Sequence, residues 1–192
     1  MSSEELVEIV DQDGNVVDIV PRSEMREQNL RHRSSYIAVL IRPRGSDRFD
    51  SHHFDADWRV VVHQRAKWKD VYPGSWDLAF GGVCEVGESW EESARRELFE
   101  EAGLSNLESL VDHGQVGYVD EFTDVVGRVF IADCDCEMIA EQLRSRDGEA
   151  VAFASVRLRD LAAWLTHTDS VCSDSVSAVE PILTQLMKIY LT

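Results

Sequence analysis

The chain has 192 residues, 44 % of them hydrophobic and 29 % charged, which suits one compact domain with a sizeable core and excludes a wholly disordered chain. Nineteen Lys and Arg against thirty-six Asp and Glu leave a net charge of −17, which argues against a nucleic-acid polymer as partner but admits a small anionic substrate where local cations or a bound metal invert the field. No apolar run approaches the roughly twenty residues of a membrane helix, and Met1 to Glu5 lacks the basic start of a signal peptide, so the expectation is a cytoplasmic protein without a membrane partner.

In chain order, Glu8 to Asp11 and Val16 to Val20 flank an Asp-Gly at Asp13 and Gly14, the signature of a hairpin. Pro21 then opens a short helix over Arg22 to Gln28 as its first-turn residue. Residues 1–29 therefore read as an extension, with the main domain over 30–192. Ser35 to Ile41 and Trp58 to His63 are strands, separated by a polar loop from Pro43 to Asp57. A turn at Tyr72 to Trp76 leads to a short strand ending at Gly81 and Gly82, and a helix runs from Ser89 to Ala102, capped by Ser89 and stopped by Gly103.

Strands follow over Gly114 to Val119 and Val125 to Ala132, then a helix over Met138 to Leu143 and a strand over Ala150 to Val156. The last helices are Leu158 to Leu165 and Val176 to Tyr190, the second with an apolar stripe of Val179, Ile182, Leu183, Leu186 and Ile189. That stripe packs on its own sheet or on a second subunit, and a homodimer is the expected assembly. Helices and strands without strict alternation indicate an α+β sandwich. Cys84, Cys134, Cys136 and Cys172 match no zinc spacing and read as reduced thiols.

The chemistry lies between Gly82 and Leu104. Glu97, Glu100 and Glu101 stand at i, i+3 and i+4 of the helix, so three carboxylates emerge on one face. Arg96, four residues before Glu100, is the one cation at a neighbouring helical position. A hard divalent cation bound by oxygen ligands would neutralise such a group. Around it runs a fixed frame: Gly82, five residues, Glu88, seven residues, Arg96-Glu97, apolar Leu98, then Glu100-Glu101, Gly103 and apolar Leu104. Seven identities at about 6 % usage each coincide by chance on the order of once in 10⁹ positions.

This segment resembles the signature of the Nudix hydrolase family, without a substitution. The resemblance implies an α/β/α sandwich with a mixed sheet and hydrolysis of a nucleoside diphosphate linked to another group, with Mg²⁺ or Mn²⁺. On this chain it implies Glu97, Glu100 and Glu101 as metal ligands, one of them also a candidate base. It further implies the Gly81 carbonyl as an added ligand, an Arg96–Glu88 pair bracing the loop, and Gly82 and Gly103 as structural glycines.

A second likeness lies upstream. His32, Arg65, Lys69 and the turn Tyr72-Pro73-Gly74-Ser75-Trp76 are similar to isopentenyl diphosphate isomerases and their hydrolase-like relatives. That likeness implies Arg65 and Lys69 as holders of a substrate diphosphate and His32 as a metal ligand. The isomerase cysteine is missing, because Gly81 stands in its place and Val83 where a histidine would follow. An isomerase and a non-catalytic nucleotide sensor are the alternatives to a hydrolase. Glu149, just before a strand, is the candidate base from outside the helix, with Asp120 or Glu121 second; Trp68, Tyr72 and Trp76 could stack a base or cap the cleft.

Overall fold

A computed structural model describes residues 4–43, 57–105, 109–135 and 143–190. The loop expected over 43–57 lies almost wholly outside these residues. So does the helix expected over 138–143, of which Leu143 alone is described and is not helical.

Strands β1 (Leu6–Val10) and β2 (Val16–Pro21) form the expected hairpin. Its turn is held by the Asp11 carboxylate, which accepts the Asp13 and Asn15 N–H groups at 2.9 Å each. Helix α1 (Arg22–Glu27) follows, but Pro21 ends β2 in an extended conformation and precedes the first turn instead of lying in it. With φ −57° and ψ 143°, that proline suits the turn from strand to helix.

The spine of the sheet is β3 (His32–Arg42). One edge of it pairs in parallel with β7 (Asp124–Asp135) along the whole strand, and β7 pairs antiparallel with β6 (Leu110–Val119). The other edge meets β1 at its start and β4 (Arg59–Arg65) at its end, and β4 pairs with β8 (Ala150–Arg157). Where β3 leaves β4, the two-residue β5 (Trp76–Asp77) takes the vacated edge opposite His63 and Gln64. The strand expected to reach Gly82 thus stops at Asp77, and Phe80 and Val83 touch β3 as single bridges. Strand β6 begins earlier than expected, with a register shift between Asp112 and Gln115.

Alternation along β3 divides the core. Tyr36, Ala38 and Leu40 pack with Val179, Leu183 and Leu186 of α4 (Ser173–Tyr190), while Ile37, Val39 and Ile41 pack with Ala94, Leu98 and Ala102 of α2 (Trp90–Ala102). Helices therefore cover both faces, which is why the whole run reads apolar. The segment expected as one helix from Leu158 is a 3₁₀ turn (Leu158–Asp160) followed by α3 (Leu161–His167). The expected stripe of α4 faces its own sheet through Val179, Ile182, Leu183 and Leu186. Among the described residues no helix is long and apolar enough to cross a membrane. The mixed sheet with helices on both faces bears out the α+β sandwich.

Candidate active site

Helix α2 is fixed at both ends. Ser89 accepts the Glu92 N–H while Glu92 accepts the Ser89 N–H, a reciprocal cap, and Gly103 closes the other end at φ 74°. Before it, the segment from Phe80 to Cys84 lies along β3. Ile37 and Phe80 exchange backbone hydrogen bonds of 2.7 and 2.9 Å, Ser35 N–H donates to the Gly82 carbonyl at 3.0 Å, and Cys84 N–H donates to Arg33 at 3.0 Å. The approach demands glycine at residue 81, where a Cβ would lie 1.9 Å from the Ser35 carbonyl oxygen, whereas one at residue 82 would meet the Glu97 side chain, 2.6 Å from Oε1.

Arg96 ties the acidic face together. Its guanidinium donates to both Glu88 oxygens at 3.0 Å, to Glu97 Oε1 at 2.8 Å, to Glu100 Oε2 at 3.1 Å and to the Val83 carbonyl at 3.2 Å. Glu101 is almost fully enclosed, and its Oε2 accepts the Gly81 N–H at 3.1 Å. Burial pushes the Glu97 carboxyl up to about 7 against the pull of Arg96, with Glu100 and Glu149 adding to the rise. Burial likewise drives Glu101 well above the carboxylate range, reinforced by Glu97.

Glu97, Glu100 and Gly81 open onto a cleft of about 210 Å³ whose other walls include Arg22, Lys69, Asp147 and Glu149. Lys69 bonds the Glu149 carboxylate there. A smaller pocket of about 60 Å³ adjoins it through Gly81, Gly82, Arg22 and Lys69, and it is lined by Arg26, His32, Tyr36, Arg65, Tyr72 and Asp174. Arg65 donates to Asp77 at 3.4 Å and to the Val71 carbonyl at 3.2 Å. His32 is buried with its Nδ1 2.9 Å from the Leu30 carbonyl, and burial lowers its pKa to about 4.

Most residues singled out in the sequence thus meet around two joined hollows, with Glu101 beneath the cleft floor. Asp120 does not join them: it accepts the Tyr72 and Tyr118 hydroxyls and the Phe122 and Thr123 N–H groups, locking the β6–β7 turn. Glu121 is exposed on the same turn. Trp68 is largely exposed and Trp76 stands edge-on to Trp164 at 6.2 Å, so of the three aromatics Tyr72 alone lines a hollow. Arg22 and Asp147 were not singled out, because no local motif marks them and the fold alone brings them to the cleft. Of the four cysteines expected to be buried thiols, Cys84 and Cys172 are buried, Cys134 is only half-buried, and Cys136 lies outside the described residues.

The donor set suits a hard divalent cation: two buried carboxylates and a third at the rim, short of positive charge. Among the described residues no three acidic, histidine or cysteine side chains gather tightly enough to hold an ion as they stand. Arg96 fixes Glu97 through Oε1 and Glu100 through Oε2, and Glu101 accepts the Gly81 N–H through Oε2, engaging one oxygen of each carboxylate.

Comparison with known proteins decides the family. The profile described as NUDIX domain matches residues 48–173. The chain belongs to the Nudix family. An uncharacterized Nudix hydrolase of Yersinia pestis is 33 % identical over 178 residues, covering 86 % of this chain and 88 % of that one. The uncharacterized Nudix hydrolase YfcD of Salmonella typhi is 31 % identical over 180 residues, covering 87 % and 88 %. Among solved structures, a Deinococcus radiodurans protein superposes with a TM-score of 0.66 at 17 % identity, covering 97 % of this chain and 99 % of that one. The NUDIX domain of Shewanella oneidensis NrtR complexed with ADP ribose gives 0.60 at 14 % identity, covering 87 % and 99 %. These likenesses establish the Nudix fold, and the chain is a Nudix hydrolase.

Proposed function

We propose that this Nudix hydrolase cleaves, with Mg²⁺ or Mn²⁺, the diphosphate bond of a nucleoside diphosphate linked to another moiety, or of a related organic diphosphate. The observation that carries this reading is the cleft in which Glu97 and Glu100 share walls with Lys69 and Glu149. Oxygen donors for a metal and a cation for a phosphate thereby border one space. Glu97, Glu100, Glu101 and the Gly81 carbonyl would hold the ion, which would supply polarisation of the phosphoryl oxygens and activation of water. Arg65 and Lys69 hold the diphosphate. Glu149 takes the proton of the attacking water, with Glu97 and Glu100 as the other candidate bases on the helix. Residues 1–29 form an extension of the catalytic domain over 30–192, and the enzyme works in the cytoplasm as a homodimer. ADP ribose, named with the Shewanella domain, belongs to the substrate class proposed.

The test is a phosphate-release screen with Mg²⁺ and Mn²⁺ over ADP-ribose, NADH, CoA, dinucleoside polyphosphates, nucleoside triphosphates and isopentenyl diphosphate. The expected result is turnover that stops with EDTA and in Glu100→Gln. Turnover retained by that variant overturns the assignment.

A further inference from the structure

The tip of the loop before α2 touches little of the protein: Val86 is exposed, and where a Cβ of Gly87 would stand there is nothing within 4 Å. Yet it is held from below by the N-terminal hairpin. Glu8 of β1 is buried, with one carboxylate oxygen accepting the Gly87 N–H at 2.9 Å and the other pairing with Arg33 Nη2 at 2.6 Å. The same Arg33 nitrogen donates to the Glu88 carbonyl at 2.7 Å, and its guanidinium lies 5.0 Å from the Trp90 ring centre at the first turn of α2. A bridge between Val7 and Glu85 adds a backbone link. Glu88 in turn grips Arg96, which contacts Glu97 and Glu100.

We propose that Glu8 and Arg33 are positioning residues for the metal carboxylates: the hairpin clamps the loop at Gly87 and Glu88, and Glu88 sets Arg96 and through it Glu97 and Glu100. The role rests on the metal-dependent reading above. Direct partners of metal ligands typically change affinity or activity 10- to 100-fold when lost, because they orient the ligands; Glu8 and Arg33 act further back, through Glu88 and Arg96, so the low end of that range applies. The sequence hides this role, since Glu8 reads as one polar residue in a short strand.

The test uses the full chain as wild type, Glu8→Leu, which removes both acceptor oxygens, and Glu8→Leu combined with Arg33→Gln. Melting temperature, metal-free amide exchange over residues 84–89 and Mn²⁺ affinity by electron paramagnetic resonance are measured on each. Glu8→Leu alone leaves the Arg33 charge buried without its carboxylate, on a side chain whose buried Nε has no partner among the described residues, so it lowers the melting temperature. The double variant removes that charge and recovers much of the loss. Both variants are expected to exchange the Gly87 amide faster and to bind Mn²⁺ about tenfold more weakly. Mn²⁺ affinity that recovers together with melting in the double variant makes the pair merely stabilising and overturns the proposal. Unchanged Gly87 exchange in Glu8→Leu, with Mn²⁺ binding intact, defeats the clamp alone. A wild-type chain that binds no Mn²⁺ defeats the metal reading and the positioning role with it.

Discussion

Gly82 lies against the Glu97 carboxylate so closely that a Cβ there would stand 2.6 Å from Oε1 and 3.0 Å from Cδ. Making room for it moves Glu97 out of its contact with Arg96, which holds the same Oε1 at 2.8 Å. Gly82→Ala is therefore expected to displace the carboxylate more than the fold. Turnover should fall at least tenfold, with about 1–3 kcal/mol of stability lost to overpacking. Gly81→Ala is the contrasting case, since its Cβ would meet the Ser35 carbonyl oxygen at 1.9 Å, a backbone atom that cannot yield. Thermal melts of the two variants check the order: a Gly81→Ala protein as stable as Gly82→Ala would contradict it.

Glu101 presents the opposite balance. It is 1 % exposed, and burial together with Glu97 disfavours its charge. Glu101→Gln removes that cost while its amide oxygen still accepts the Gly81 N–H. The metal-free variant should melt higher than wild type at neutral pH, and it should lose turnover because a hard cation loses a carboxylate ligand. The check is calorimetry in EDTA beside the phosphate-release assay, and a variant that melts lower than wild type would refute the electrostatic argument.

Acid should weaken the fold through His63. The ring is 1 % exposed, stacks on Phe80 at 4.6 Å between centroids and, among the described residues, has no hydrogen-bond partner for either nitrogen. Burial lowers its pKa from 6.5 to about 4, with Asp77 and Asp147 opposing and Arg65 and Lys69 reinforcing. Between those values the unfolded chain binds the proton and the folded one does not, so the contribution is present above pH 6.5 and fades as pH falls toward 4. His32 shifts the same way. His63→Phe keeps the stack without the titration, so its melting advantage over wild type should be larger at pH 5 than at pH 7.5. An equal difference at both pH values would exclude His63 as a source of acid sensitivity.

How much of this was legible beforehand depended on distance along the chain. The Gly82 to Leu104 segment reads directly, because its cap, its carboxylate face and its glycine stop are local, and the structure forms each within one loop and one helix. The run from Tyr36 to Ile41 reads as a strand, but its parallel pairing with Val129 to Cys134 does not, since no local pattern specifies a partner so far away. The same limit explains Arg22 and Asp147, which reach the cleft from separate elements. Asp120 misled because a carboxylate in a turn reads alike whether it faces a substrate or caps its own turn, and here it does the second.

Arg65 and Lys69, paired in the sequence as diphosphate holders, should separate on mutation. Lys69 borders both hollows and its ammonium meets Glu149 at the cleft wall. Lys69→Gln should raise KM about tenfold or more by removing a charge-assisted contact to phosphate, and it should cost less stability than Arg65→Gln because the carboxylate it leaves behind, Glu149, is 28 % exposed against 10 % for Asp77. Arg65 lines only the smaller pocket of the two, with its side chain 12 % exposed against an Asp77 side chain 10 % exposed. Arg65→Gln strands that carboxylate beside Asp174, whose own pKa burial and Asp77 already push up to about 6. The expected loss is about 3 kcal/mol of stability, the scale for breaking a buried ion pair from one side. Denaturant melts and steady-state kinetics on both variants decide it: a Lys69→Gln protein less stable than Arg65→Gln, or an Arg65→Gln protein as stable as wild type, would contradict the expected difference in their contributions to the fold.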